Sequence, residues 1–401
     1  MSTSGVGRRG FLGYVGTAVA GAAAGAGGVA LAGSAGGAEG TPAPDATAWA
    51  GRTIAPYGAH QPGVATSSPH VTELVALDLL PGADRDALGR LMRVWTGDVE
   101  ALTQGRPAPG DTAPWLAGAR ADLTITVGAG PGAFGPRLLG EPPAGFGTVP
   151  PMRHDRLQER WNGGDLVLVV AARDATTVAH AVRRLVADAA PFATPRWRQH
   201  GSWNGVDGRG QAVTGRNLFG QVDGSANPRP GTDLFDETVW IDEGDWAGGT
   251  TLVVRRIRMD LDTWDELTRD EQERSVGRRL DDGAPLTGGE ELDDVDLTAR
   301  TGGRPTIARD AHARRSHPDL NGGRRIFRKG ANYVLDTDRG VESGLLFQSF
   351  QADLLDQFVP IQRSIDELDA LNEWTTAIGS ASFVVLPGFE EGGWLGQVRL
   401  G

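Results

Sequence analysis

From Val71 onward the hydrophobic pattern spells the same order of elements twice, and that order leaves few folds open. Val71 to Leu80 alternates as a strand. Asp84 to Gln104 sets Leu88, Leu91, Met92, Trp95, Val99 and Leu102 on one helical face. Leu123 to Val127 reads as a second strand, and Leu166 to Ala172 as a continuously apolar third. Asp174 to Ala190 follows as a helix with Val178, Ala181, Val182 and Leu185 inward, and Thr194 to Trp203 closes as a strand. The sum is β-α-β-β-α-β, the split ferredoxin-like unit. The second half repeats it. Its strands are Thr250 to Met259, Asn332 to Leu335, Leu345 to Phe350 and Ser382 to Pro387, and its helices Asp262 to Gly277 and Asp353 to Leu371. Two tandem units predict an α+β protein duplicated in pattern, with no repeat at the level of residues. The boundary falls near Trp203 to Gly215, which gives domains at 56–210 and 211–401.

The first residues have a different composition. Gly7-Arg8-Arg9-Gly10-Phe11-Leu12 is a twin-arginine pattern, and a Gly/Ala-rich run follows to about Ala32. Glycine makes that run too polar and flexible to span a bilayer well, so 1–38 reads as a cleaved export signal. Residues 39–55 read as a flexible linker. The expected location is extracytoplasmic, reached by a route that carries folded proteins. The chain has no cysteine, which excludes disulfides, thiolate metal sites and cysteine nucleophiles. Its 39 basic against 51 acidic residues leave a formal charge of −12; without Arg8 and Arg9, 37 against 51 leave −14. Such a chain binds nucleic acid poorly and suits neutral or cationic small molecules. No G-x-x-x-x-G-K-S/T or H-E-x-x-H stretch occurs, and Pro131 argues against GAGPGAFG (Gly128 to Gly135) as a phosphate loop.

Three later stretches carry chemistry. Gly215 to Pro228, GRNLFGQVDGSANP, packs Gly220, Gly224, Asn217, Asn227 and Pro228 about one acid, Asp223. Turn residues at this density fix a backbone rather than extend a helix or strand. Arg309 to Pro318, RDAHARRSHP, holds His312 and His317, and Arg324 to Tyr333, RRIFRKGANY, holds Arg328. His312 and His317 are five apart, which a straight helix does not place on one face, so they do not pair on one metal. A single axial histidine, with an acid and an arginine on the other face, suits peroxide chemistry at a haem. The acidic run from Asp281 to Asp296 lacks calcium-loop spacing and reads as a solvated loop.

These stretches resemble those of the dye-decolourising peroxidases. Gly220-Gln221-Val222-Asp223-Gly224 matches the family's G-x-x-D-G loop, and His312 falls where the family has its proximal histidine. Arg328, in F-R-K-G, matches its distal arginine. YGAHQPGV (Tyr57 to Val64), GGTTLVVRRIRMDLDTW (Gly248 to Trp264), GAPL (Gly283 to Leu286) and LLFQSFQADL (Leu345 to Leu354) agree as well. The chain departs from the pattern at Ala313 and His317, and at Gly330, where some relatives carry an asparagine. The resemblance implies one haem b per chain, held in the C-terminal unit, with His312 as the axial ligand of the iron and Asp353 as its carboxylate partner. It assigns Asp223 as proton shuttle and Arg328 as charge stabiliser. Gly220 and Gly224 shape the haem loop, Phe347 or Leu346 roofs it, and Arg314 or Asn227 meets the propionates. The implied function is reduction of hydrogen peroxide through a ferryl intermediate, with oxidation of dyes, phenols or other small reductants. A secreted, deferrochelatase-like haem or iron handler on the same fold is the alternative, and a chlorite-decomposing enzyme a third. No nucleic acid or lasting membrane span is expected, and a homo-oligomer is allowed.

Overall fold

The computed structural model describes residues 51–68, 70–207, 211–338 and 340–401; the twin-arginine stretch and residues 39–50 of the expected linker lie outside them. The first unit runs β1 (Val71–Leu79), α1 (Arg85–Leu102), β2 (Thr124–Ala129), β3 (Leu166–Ala172), α2 (Ala175–Ala189) and β4 (Ala193–Ser202). Asp84 starts α1 by accepting the Ala87 amide at 2.8 Å, and Asp174 starts α2 by accepting the Thr177 amide at 2.7 Å. Each cap satisfies a backbone donor that a helix start otherwise leaves unpaired.

After a short α3 (Asp233–Val239), the second unit begins with β5 (Thr250–Met259). The helix expected over 262–277 is two pieces, α4 (Leu261–Asp265) and α5 (Arg269–Val276). Thr268 and Glu271 form a reciprocal capping box there, which starts a new helix instead of continuing the old one. A two-residue ribbon, β6 (Arg300–Thr301) with β7 (Arg304–Pro305), and α6 (His312–Arg315) lie in the long insertion. β8 (Phe327–Thr337) and β9 (Gly340–Gln351) are both longer than their apolar centres suggested. The expected 353–371 helix opens with a π-helical turn, Leu354–Phe358, before α7 (Val359–Leu368) and a 3₁₀ turn, Ala370–Glu373. β10 (Thr375–Val385) and α8 (Gln397–Leu400) complete the chain.

Both halves have the ferredoxin-like strand order, β4-β1-β3-β2 in the first and β8-β9-β5-β10 in the second. Their free edges then join. Ala129 and Gly128 of β2 pair with Val384 and Val385 of β10, and Ser202 of β4 pairs with Asn332 of β8. The eight strands thereby close into a ring, which leaves no sheet edge unpaired along those contacts.

Alternation along the strands builds two cores. Leu74, Ala76, Val167, Val169, Leu252, Val254, Leu346, Phe350 and Phe383 fill the inside of the ring. The opposite face of the first sheet, with Val75, Leu77, Leu168 and Val170, is covered by Leu88, Leu91, Met92 and Trp95 of α1 and Val178 and Leu185 of α2. In the second half the corresponding face is not filled. Arg255, Ile257 and Met259 of β5, Arg328 of β8, and Leu345 and Phe347 of β9 line a cavity instead. The short, polar α5 and α6 cannot supply the bulk that α1 supplies, so a space remains between sheet and helices.

Candidate active site

The cavity has a volume of about 250 Å³. A second one, beside Trp161 and Arg256, holds about 10 Å³, room for little more than one water. His312, Asp223 and Arg328 all line the large cavity, although 105 residues separate Asp223 from Arg328. The structure therefore gathers the three principal residues expected from the sequence.

His312 opens α6, which is held on α7 by hydrogen bonds from Arg315 Nε to the Ser364 carbonyl (2.9 Å) and from Ser364 Oγ to the Arg315 carbonyl (2.8 Å). Its Nδ1 lies 2.5 Å from Asp369 Oδ2, a carboxylate with no exposed side-chain surface. The Ala370 amide bonds the Asp310 carbonyl at 2.7 Å, which brings Asp369 beneath the imidazole. Burial disfavours the charged imidazolium, but Asp369 outweighs that and raises the His312 pKa above the ordinary histidine value. Nε2 has no partner among the described residues.

Asp369, not Asp353, is thus the carboxylate behind His312. Asp353 Oδ1 accepts the Asp356 amide at 2.7 Å and caps the π-helical turn, so it starts a helical segment and does not take the proximal role. Both acids flank helical segments, and only the docking of α6 on α7 selects between them.

Asp223 and Arg328 face the same space as an ion pair, Arg328 Nη1 donating to Asp223 Oδ1. The second carboxylate oxygen accepts from Asn217 Nδ2 at 3.1 Å. Their side chains are 14% and 25% exposed, so both still reach the cavity. Gly220 and Gly224 have φ of +81° and +134°, values that glycine alone adopts without strain. A Cβ at Gly224 would also come within 3.1 Å of Thr214 Cγ2. The two glycines shape the loop, and it is Gln221, Val222 and Asp223 between them that line the cavity. Gly330 faces Trp203, whose ring would lie 2.9 Å from an added Cβ. An asparagine at 330 has no room in this chain.

Phe347 lines the cavity, whereas Leu346 points into the ring. Arg314 is not at the cavity: its Nε and Nη2 donate to the Ile307 and Leu297 carbonyls at 3.1 and 2.8 Å. Asn227 lines the cavity, but its amide is used on the Arg328 backbone, donating to the carbonyl at 2.8 Å and accepting the amide at 3.2 Å. His317 has both ring nitrogens engaged, Nε2 with Asp294 (3.1 Å) and Nδ1 with the Asp319 amide (3.1 Å). It is not available as a ligand.

The donor set fits an iron porphyrin. One imidazole nitrogen is free, its other nitrogen is tied to a buried carboxylate, and Phe347, Phe358, Ile361 and Ile365 supply apolar walls. Arginines at the cavity suit carboxylates on the ring edge. Arg255, Arg324 and Arg328 already pair with Asp155, Asp356 and Asp223, and Arg278 is spent on the carbonyls of Gly283, Glu291 and Asp293. Arg325 has no acidic partner among the described residues and was missed in the sequence because its neighbours are also arginines or apolar.

Two family models match the chain: Dyp-type peroxidase, N-terminal, over residues 61–202, and Dyp-type peroxidase, C-terminal, over residues 214–390. A dye-decolorizing peroxidase of Thermobifida fusca is 40% identical over 370 residues, covering 87% of this chain and 84% of that protein. A deferrochelatase of Yersinia pseudotuberculosis is 33% identical over 355 residues, with 83% and 81% covered. Among solved structures, a DyP-type peroxidase from Cellulomonas bogoriensis gives a TM-score of 0.81 at 44% identity, covering 88% of this chain and 99% of that one. An oxyferrous complex of DtpA from Streptomyces lividans gives 0.85 at 38% identity, covering 89% and 100%.

Proposed function

Because the chain belongs to the Dyp-type peroxidase family, it is a haem-dependent peroxidase of the dye-decolourising type, and we propose the parts its residues play in cleaving peroxide. One observation carries the assignment: a carboxylate-backed histidine and an Asp–Arg pair line a single cavity. Haem, when bound, would supply an iron for peroxide to bind and, from iron and porphyrin together, the two electrons that cleavage of the O–O bond needs, which reductants later restore. His312 Nε2 would hold that iron, with Asp369 accepting the hydrogen bond from Nδ1–H and fixing the orientation of the imidazole. Asp223 accepts the proton of the inner peroxide oxygen and returns it to the outer one, so that the O–O bond breaks and water leaves. Arg328 Nη1 stabilises the negative charge that develops on the outer oxygen and holds Asp223 in place. Among the described residues at the cavity, Arg325 has no acidic partner and would meet the haem carboxylates. Dyes, phenols or other small neutral or cationic molecules are the proposed reductants, in keeping with the acidic chain. A haem carrier would need no acid beside its arginine, so the Asp223–Arg328 pair favours the enzyme.

Removal of the two distal groups should fail differently. Asp223→Ala should slow peroxide cleavage roughly 10²–10⁴-fold, the usual worth of a positioned acid–base. That defect should ease as pH rises, because ionised peroxide needs no base. Arg328→Ala leaves the developing charge unstabilised, and its defect should persist at high pH. Stopped-flow series on both variants decide this; wild-type rates for Asp223→Ala at every pH would remove it as the base.

Export through the twin-arginine route is part of the same proposal, supported by Arg8 and Arg9; a route that carries folded proteins suits a chain that takes up its cofactor before transport. Replacing both arginines by lysine should leave the protein in the cytoplasm; undiminished export would point to another route.

A further inference from the structure

We propose that Asn227 is a positioning residue for the peroxide-cleaving pair, which it holds together by clasping the backbone of Arg328. The inference rests on the roles given above to Asp223 and Arg328. Both polar groups of the Arg328 main chain meet the Asn227 carboxamide: Asn227 Nδ2 donates to the Arg328 carbonyl at 2.8 Å, and the Arg328 amide donates to Asn227 Oδ1 at 3.2 Å. Two such bonds are what a neighbouring strand residue would provide. On the edge of β8 away from β9 no strand residue does so, because β4 meets β8 only at Ser202 and Asn332. At Arg328 that edge is met by Asn227 of the glycine loop instead. Asn332 Nδ2 adds a second attachment, donating to the Arg216 carbonyl at 2.9 Å.

The loop that clasps Arg328 is the loop that carries Asp223. The Asp223 amide donates to the Gly215 carbonyl at 3.0 Å, and the Asn227 amide to the Gly224 carbonyl at 2.9 Å, so acid and clasp share one hydrogen-bonded frame. Gly224 makes the frame possible: its φ of +134° would strain any L side chain, and an added Cβ would come within 3.1 Å of Thr214 Cγ2. The distance between the acid and the guanidinium is therefore set at two points, the side-chain ion pair and the Asn227 clasp. Asn227 touches neither carboxylate nor guanidinium, so it acts through Arg328.

The test uses the haem-loaded protein with Asn227→Ala and Asn227→Asp, the latter keeping the acceptor for the Arg328 amide and losing the donor. The readouts are the peroxide cleavage rate and the affinity of the ferric protein for fluoride, a small anion that a distal guanidinium stabilises. Asn227→Ala should lower the rate about 10- to 100-fold, the scale of a misplacement near 1 Å. It should weaken fluoride binding several-fold per haem, and Asn227→Asp should do the same to a smaller extent. A residue of purely structural worth would lower haem content or melting temperature and leave fluoride affinity per bound haem unchanged. That result overturns the proposal, as does failure of both variants to take up haem. Arg328→Ala separates the two levels. If it too leaves rate and fluoride affinity at wild-type values, the distal-pair reading has failed; if it lowers both while the Asn227 variants do not, only the clasp has.

Discussion

Asp369 sits 2.5 Å from His312 and has no exposed side-chain surface, so its charge is spent on the imidazole. A buried carboxylate costs stability unless it is paired, and with His312 in its proposed role as the iron's ligand the pair would also set that ligand's electron-donating strength. Asp369→Asn keeps an oxygen for the Leu371 amide, now accepted by Oδ1 at 2.8 Å, and so preserves the 3₁₀ turn. The expected outcome is a folded, haem-loaded protein whose reduction potential is higher and whose peroxide cleavage is about 10- to 100-fold slower, the usual effect of losing a ligand's outer partner. Asp353→Asn is the control and should change neither. If the two variants behave alike in redox titration, the carboxylate behind His312 is not Asp369. His312→Ala should lose haem or hold it weakly, because His317 is committed to Asp294 and Asp319; unchanged haem occupancy would count against the ligand assignment.

The pair of helices over the first sheet hides a group that works against the fold. Asp98 on α1 is 1% exposed, and its Oδ2 has no hydrogen-bond partner. Nearby, His180 Nε2 of α2 hydrogen-bonds Asp111 Oδ1 at 3.2 Å, both side chains being 2% exposed. Burial, aided by Asp111 and opposed by Arg184, pushes the Asp98 pKa from 3.8 up to about 6. A carboxyl whose folded pKa lies above its unfolded value withdraws stability as pH rises between the two. Below about pH 4 the group is neutral in both states, and above pH 6 the folded state bears the full cost. At about 1.4 kcal/mol per pKa unit that cost is on the order of 3 kcal/mol. Asp98→Asn should therefore melt at a higher temperature than wild type at pH 8, with the gain fading towards pH 4. A difference between the two proteins that does not vary with pH would show that ionisation of Asp98 is not the cause.

At the scale of the whole molecule, the ring of strands ties two copies of one strand-and-helix pattern into one body. β2 pairs with β10 and β4 with β8, so neither half has complete sheet edges by itself. Lys329 adds a further tie: its ammonium donates to the Gly63 and Thr66 carbonyls at 2.8 and 2.6 Å, from the residue next to Arg328. Calorimetry should show one cooperative transition for residues 51–401, and residues 51–210 alone should not fold cooperatively, because two strand edges would be exposed. Two well-separated transitions in the longer chain would mean the halves are independent. Among the described residues no helix is long and apolar enough to cross a membrane.

Elements whose cause is local were legible in the amino-acid order. Leu166–Ala172 and Thr250–Met259 were found end to end, since a run of apolar or β-branched residues needs no distant partner to read as a strand. Asp223, His312 and Arg328 were legible too, because their neighbours form compact motifs. What escaped depends on contacts between remote segments. The first residues of β8 include Arg328, Lys329 and Gly330, and no hydrophobic alternation announces them; Lys329 is buried only because two carbonyls more than 260 residues away receive it. The choice of Asp369 over Asp353 follows from how α6 docks on α7, and the Asn227 clasp from where β4 stops pairing. Periodicity records which face of an element is buried, but the partner that buries it is chosen in three dimensions. The cavity itself is such a choice: α1 fills the outer face of the first sheet, while the short helices of the second leave room above Arg255, Arg328 and Phe347.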